Sequence, residues 1–149
     1  MRPALIGHGR ILFLQQGFMA HYRFRKTERL VSSKAIGELF SSGSRSFSSF
    51  PVKAVFRETE QGEGKDCVKV LVSVSKRHFK HAVDRNRAKR QIREAYRMHK
   101  ETLSVPLQES GKRLSLAFIW MADEPQETAR VERGVERLLQ LIAERICRS

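Results

Sequence analysis

The chain is 149 residues long, with 29 Lys and Arg against 16 Asp and Glu, a net charge of +13 and a pI near 10.6. That length suits one domain with a single modest core, and that charge implies a polyanionic partner, either nucleic acid or an acidic membrane surface. Two distant cysteines, Cys67 and Cys147, and five scattered histidines exclude a disulfide framework and zinc-ligand spacing, which fits a reducing cytoplasm.

Residues 1–21 carry a short apolar stretch, Ile11 to Leu14, ended at once by Gln15 and Gln16. A secretory signal needs a longer apolar core and a small-residue cleavage site, and a spanning helix needs about 20 apolar residues. Neither is present, so no membrane partner is expected. Residues 1–21 read as a disordered extension to a domain over 22–149, with Met19 as an alternative start. Tyr22 to Arg29 (YRFRKTER) interleaves aromatic and basic residues, as an RNA-contacting arm does. Ser32 or Ser33 can cap a short helix reaching about Ser41, with Ala35, Ile36, Leu39 and Phe40 on one face. Phe40 at that spacing fits either the core or a ring for base stacking.

Ser41 to Ser49 is rich in Ser and Gly and reads as a loop. Pro51 then opens a strand, Val52 to Phe56, and Glu58 to Asp66 (ETEQGEGKD) forms a polar turn. Cys67 to Val74 is the clearest strand: Val68, Val70, Val72 and Val74 point one way, and Cys67, Lys69, Leu71 and Ser73 the other.

Lys76 to Lys100 (KRHFKHAVDRNRAKRQIREAYRMHK) holds ten Lys and Arg against Asp84 and Glu94, so ten minus two, +8, of the chain's +13 sits in this stretch. On a wheel of about 100° per residue, Ala88, Ile92, Ala95, Tyr96 and His99 form an apolar strip. Arg85, Asn86, Lys89, Arg90, Arg93 and Arg97 fill the neighbouring arc, and Arg87 stands apart near Gln91 and Glu94. Asp84 suits the N-cap. A solvated amphipathic helix is the plain alternative. Against it, Arg85, Lys89, Arg93 and Arg97 are all basic, and like charges at i, i+4 repel. Arg85 and Arg87 also oppose the helix dipole in the first turn, by roughly 0.3–1 kcal/mol each. A helix that breaks local rules so consistently points to a polyanion that compensates it. The apolar strip, built on Ala88 and Ala95, is too small for insertion into a membrane surface, which leaves nucleic acid.

Thr102 to Lys112 contains Pro106 and Gly111 and reads as a loop. Leu114 to Trp120 is the last strand, with Leu114, Leu116, Phe118 and Trp120 on one face. Glu127 to Ile146 is a long amphipathic helix with Val131, Val135, Leu138, Leu139, Ile142 and Ile146 inward. Its net charge is near zero, as expected of scaffold. The order gives an α+β domain with helices over one small sheet.

Ser75-Lys76-Arg77 and the run Ala82 to Arg97 (AVDRNRAKRQIREAYR) resemble the signature of the bacterial ribonuclease P protein component. That family carries an RNR motif opening a basic helix, followed by K-R-x-x-R-E and an aromatic. The resemblance covers roughly Tyr22 to Leu139, and is most specific from Ser75 to Arg97. It implies a further strand before or within Phe47 to Phe56, hence a small mixed β-sheet in α-β-β-β-α-β-α order. It also implies a left-handed strand–helix–strand crossover around the basic helix, against the usual hand.

The resemblance further implies that Arg85, Asn86, Arg87, Lys89, Arg90 and Arg93 contact a catalytic RNA, with Lys76 and Arg77 beside them. Asn86 fits either an RNA contact or a role in holding the turn. The 5′ leader of precursor tRNA would lie in a cleft between the first helix and the sheet. Phe40 matches one aromatic position of that cleft and Phe50 lies near another. Ile36 stands where other members often place an aromatic, and Phe24 in the arm is a further candidate. Partners are then the catalytic RNA and precursor tRNA, one protein copy per complex, in the cytoplasm.

Nothing in the residues amounts to a protein active site. A metal-dependent nuclease needs clustered carboxylates, and the acidic residues here are dispersed. Glu63-Gly64-Lys65 resembles an E-x-K nuclease element, but no strand aspartate precedes it. The resemblance implies an RNA-catalysed hydrolysis whose Mg²⁺ is held by the RNA and the substrate. The alternative is a stand-alone, ribosome-associated RNA-binding protein without a role in cleavage.

Overall fold

Alternation in the strands and helical spacing elsewhere sort the apolar residues onto two unequal sheet faces. The computed structural model describes Phe24 and residues 26–59 and 66–148; the extension, the Met19 start and Glu63-Gly64-Lys65 lie outside the described residues. A 3₁₀ turn, Lys26–Glu28, leads to α1 (Ser33–Leu39), β1 (Arg45–Ser49), β2 (Val52–Thr59) and β3 (Val68–Ser73). Then come α2 (Ala82–His99), α3 (Glu101–Ser110), β4 (Arg113–Trp120) and α4 (Thr128–Arg148). The sheet order is β1-β2-β4-β3, with β1–β2 and β2–β4 antiparallel and β3–β4 parallel. Parallel neighbours require a crossover, and here it carries α2 and α3.

The first sheet face bears the main core. Register sets Leu116 between Phe56 and Val70, and Phe118 between Ala54 and Val72. Against this face α2 buries Ala88, Ile92, Ala95 and Tyr96, and α4 buries Val131, Val135, Leu138, Leu139, Ile142 and Ile146. The expected inward set of α4 holds, and so does that of α2 apart from His99, which is half-buried against Glu132 and Glu136. On the second face Leu39 of α1 and Leu30 pack on Ala117, with Val55 and Leu71 at the margin. Ser32 is the N-cap of α1, its hydroxyl accepting from the Ala35 N–H at 3.3 Å.

Three local expectations are corrected. Residues 102–112 are not a loop, because α3 occupies most of them. Leu103 and Leu107, one turn apart, are fully buried, and two such burials (about 1.5–3 kcal/mol each) offset the roughly 3 kcal/mol cost of Pro106. Gly111, at φ 71°, ends α3: its N–H donates to Gln108 O, and the Lys112 N–H to Leu107 O at 3.1 Å. The glycine is a helix stop of the Schellman type. Helix α2 begins at Ala82, ahead of Asp84, so His81 is the N-cap and Asp84 sits inside the first turn. Its carboxylate still complements the dipole there. Arg45 to Ser49 is a strand, as the family resemblance implied, although Ser41 to Ser49 reads as a loop. Phe47 is the only apolar residue of β1 and stacks on Phe56 at 5.6 Å, so the strand's alternation carries no hydrophobic signal.

Helix α4 crosses close over the β1–β2 turn at Gly134. A Cβ there would lie 3.0 Å from Ser49 O and 3.4 Å from Phe50 O, which explains a glycine in mid-helix. At the opposite end of the sheet the N-terminal arm covers the free edge of β3: Arg29 bridges Val70, and the Leu30 N–H donates to Val70 O at 2.9 Å. Lys100, after α2, locks the arm down through Glu28 at 2.9 Å, both side chains being about nine-tenths buried. Removing one partner of a buried pair costs about 3–5 kcal/mol, because the other charge stays buried. Lys100→Met is therefore expected to lose stability of that order in denaturant unfolding, and Glu28→Gln in the same chain to restore part of it. A loss below about 1 kcal/mol would show that the pair does not anchor the arm.

Candidate nucleic-acid interface

The basic helix is held from beneath and from its N-terminal end. Gln91 is buried, and its Nε2 donates to Gln126 O at 3.0 Å and to Thr128 Oγ1 at 3.1 Å, fastening α2 to the turn before α4. The segment before α2 carries Lys76 and Arg77, both exposed. Arg85 Nη1 donates to the carbonyls of Phe79 and Lys80, each at 2.9 Å. Phe79 is buried 5.9 Å from Trp120, and His78 Nδ1 lies 2.8 Å from Asp123 Oδ1. Lys76 and Arg77 are thus presented on a fixed loop, which lowers the entropy lost on binding. Arg85, expected among the RNA contacts, spends part of its guanidinium on this loop.

Asn86, Arg87 and Arg90 are exposed, and Lys89 and Arg93 half-exposed. Asn86, Arg90, Arg93, Glu94, Arg97 and Phe24 line a shallow hollow of about 280 Å³. Phe24 meets Tyr96 edge-on at 5.9 Å, and the Arg29 guanidinium stands 5.7 Å from the Phe24 ring centroid. Partial burial and the charge of Arg29 both lower the Arg93 pKa, so two cations are held near each other at the rim of the hollow. Glu94 pairs with Arg97, whose Nε donates to Oε2 at 3.1 Å; that hydrogen bond lowers the Glu94 pKa and raises that of Arg97. Among the described residues no carboxylate lies within 4.0 Å of Arg87, Arg90 or Arg93. These three arginines are open to phosphate oxygens, which their planar fork binds in pairs.

A second surface lies across the sheet, beside α1. Phe40 is 49% exposed and Ile36 half-buried. Strand register places Lys53, Ile119 and Ser73 in one row, and Val55, Ala117 and Leu71 in the next. The strand positions on this face also include Ser46, Ser48, Arg57, Lys69 and Ser115, and none is acidic. Arg57 Nη1 closes the end of α1, donating to Glu38 O, Ser41 Oγ and Ser42 O at 3.1–3.2 Å. A hollow of about 620 Å³ opens along α1, lined by Lys34, Arg57, Lys69 and Ser115 but also by the carboxylates of Glu38, Glu58 and Asp66. The apolar row Val55–Ala117–Leu71, the exposed Phe40 and the Lys, Arg and Ser side chains at the strand positions of this face suit a single RNA strand of any sequence.

The expected leader-binding residues do not all converge. Ile36 and Phe40 share α1, but Phe24 belongs to the α2 surface. Phe50, half-exposed at the β1–β2 turn, packs under the Arg130 guanidinium of α4 at 5.1 Å. The sheet separates it from Phe40, because α4 and α1 cover opposite faces. Lys53, Val55, Leu71, Ser73 and Ile119 were not legible as neighbours beside α1, since only strand register brings them together. Among the described residues no group of three His, Cys, Asp or Glu side chains is placed to hold a metal ion, and no helix is long and apolar enough to cross a membrane.

Comparison with known proteins agrees with this geometry. The family model described as Ribonuclease P matches residues 24–142. The ribonuclease P protein component of Porphyromonas gingivalis strain ATCC 33277 is 36% identical over 124 residues, covering 83% of this chain and 89% of the relative. That of Chlorobaculum tepidum is 34% identical, over 82% and 76%. In fold, the RNase P protein of Staphylococcus aureus superposes with a TM-score of 0.61 at 19% identity, covering 77% of this chain and 94% of that one. The Thermotoga maritima protein gives 0.59 at 21% identity, over 76% and 96%. With the motif helix matched in sequence and the mixed sheet matched in fold, the chain belongs to the ribonuclease P protein family.

Proposed function

We propose that this chain is the protein subunit of a ribonuclease P ribonucleoprotein, binding a catalytic RNA through α2 and the 5′ leader of precursor tRNA beside α1. The observation that carries this reading is a pair of nucleic-acid-suited surfaces, one basic and one basic-aromatic, on the two sides of a single small sheet. Arg87, Arg90 and Arg93, with Asn86, Lys89, Lys76 and Arg77, take phosphates of the catalytic RNA. The Arg85 side chain holds the loop and adds its remaining N–H groups. Ile36, Phe40 and the row Lys53–Ile119–Ser73 take the leader, Phe40 by stacking and the others by apolar contact and charge.

In this reading the chemistry belongs to the RNA. Mg²⁺ held by RNA and substrate supplies the activated water for phosphodiester hydrolysis. The polypeptide neutralises phosphates where two polyanions must approach, so that less Mg²⁺ is needed for their association. One protein copy per complex and a cytoplasmic site of action follow from the same reading.

The decisive test is precursor-tRNA cleavage at low Mg²⁺ with a bacterial ribonuclease P RNA. Correct 5′ cleavage that needs both components is expected. Binding without stimulated cleavage would instead favour a stand-alone RNA-binding protein, and cleavage by the polypeptide alone a nuclease. Arg87→Ala with Arg90→Ala leaves the fold intact, both side chains being exposed, and removes two phosphate contacts. The slope of log K against log salt for the catalytic RNA is expected to become shallower by about 1.4–1.8. An unchanged slope excludes these arginines from the interface. Phe40→Ala is expected to weaken substrates bearing a leader by about 1–3 kcal/mol while sparing mature tRNA. Equal losses for both would make Phe40 merely structural.

A further inference from the structure

The small net charge of α4, five Arg against three Glu, conceals a division between its faces. Glu132 and Glu136 turn towards α2, where each approaches His99 at 3.4 Å. Arg130, Arg133 and Arg137 are exposed, and spacings of three and four residues align them in a row along the helix. Among the described residues no carboxylate lies within 4.0 Å of any of the three. The exposed Glu124 and Glu127 share a hollow with Arg130 and Arg133 but do not pair with them. At the sheet end of the row, the Arg130 guanidinium stacks 5.1 Å from the Phe50 centroid, and Phe50 remains 50% exposed. The turn carrying Phe50 is seated on Gly134, so ring and arginines are fixed relative to one another.

We propose that Phe50, Arg130, Arg133 and Arg137 form a second RNA-binding surface, which takes a single-stranded phosphodiester segment. The arginines hold successive phosphates, and the open face of Phe50 supports an unstacked base. The reading rests on the chain being an RNA-binding subunit, but the surface is separate from both sites above. The Glu132–His99–Glu136 cluster divides it from the basic face of α2, and the sheet divides it from α1. An arginine row ending on an arginine-backed aromatic suits RNA, where base stacking and phosphate pairing act together. An acidic membrane would require a wide apolar face, and this surface offers one ring.

The test uses the full chain, a bacterial ribonuclease P RNA and hydroxyl-radical footprinting across a salt series. R133A/R137A should lose protection of one RNA segment that R87A/R90A retains, at an unchanged thermal midpoint. Its salt slope should become shallower by about 1.4, the value for two phosphates of a single strand. Phe50→Ala should increase the chemical reactivity of bases in that same segment, and unchanged reactivity would overturn the stacking. A full footprint and unchanged slope for R133A/R137A, with R87A/R90A impaired, would overturn the second surface and leave the subunit reading intact. Failure of the unmodified chain to bind the RNA would overturn both. Reduced binding of R133A/R137A to anionic phospholipid vesicles, with its RNA footprint unaltered, would assign the row to a membrane instead.

Discussion

The parallel pairing of β3 with β4 is the constraint on which the rest of the structure depends. Adjacent parallel strands cannot be joined by a tight turn, so the chain must leave the sheet after Ser73 and return at Arg113. The connection contains the basic helix. Its apolar strip, Ala88, Ile92, Ala95 and Tyr96, is drawn onto the first sheet face and against α4, and its arginines are left on the outside. The same pairing makes β3 an edge strand, and the N-terminal arm closes that edge through Arg29 and Leu30 before entering α1. The arm therefore joins the α2 surface to the α1 surface, with β3 between them.

The electrostatics of α2 run against stability and are held in place by unlike interactions. Arg93 lies where burial and Arg29 both oppose its charge, and among the described residues no carboxylate lies within 4.0 Å of it. The helix stays formed because its buried side is closely packed, with Tyr96 wedged among Phe24 and Phe118. Burial raises the Tyr96 pKa, so the ring stays neutral and adds no charge beneath the arginines. A bound anion relieves the repulsion between these cations more directly than screening by water and salt does. A surface built this way favours phosphate, because a bound anion offsets charge that the protein itself leaves unbalanced.

Periodicity made the helices and inner strands legible, because each buries one apolar face at regular spacing. The expected inward residues of α2, β4 and α4 are all found in the core apart from His99, which is half-buried at the α2–α4 seam. Two of the departures, at α3 and at β1, come from tertiary context. Pro106 and Gly111 signal a break locally, but Leu103 and Leu107 are fully buried in the core, and tertiary burial overrides the breaker. β1 has a single inward apolar residue, Phe47, so pairing with β2 rather than its own pattern makes it a strand. The site divides in the same way. Arg87, Arg90 and Arg93 are contiguous on one helix and visible in sequence. Lys53, Ser73 and Ile119 come from three strands, and no spacing along the chain relates them.

Counting cations along the sequence also overstates the interface. Of the six basic residues between Arg85 and Arg97, Arg85 is engaged with Phe79 and Lys80 carbonyls and Arg97 with Glu94. Elsewhere Arg57 closes α1 and Lys100 is buried with Glu28. Each of these cations fixes a segment that presents others: Arg85 the loop of Lys76 and Arg77, Arg57 the end of the helix bearing Phe40, Lys100 the arm bearing Arg29. Structural and binding cations are chemically identical in the sequence. What separates them is the presence of a carbonyl or carboxylate already within reach, and that depends on the fold. The salt dependence of RNA binding should therefore track the arginines without such partners rather than the formal charge of +13.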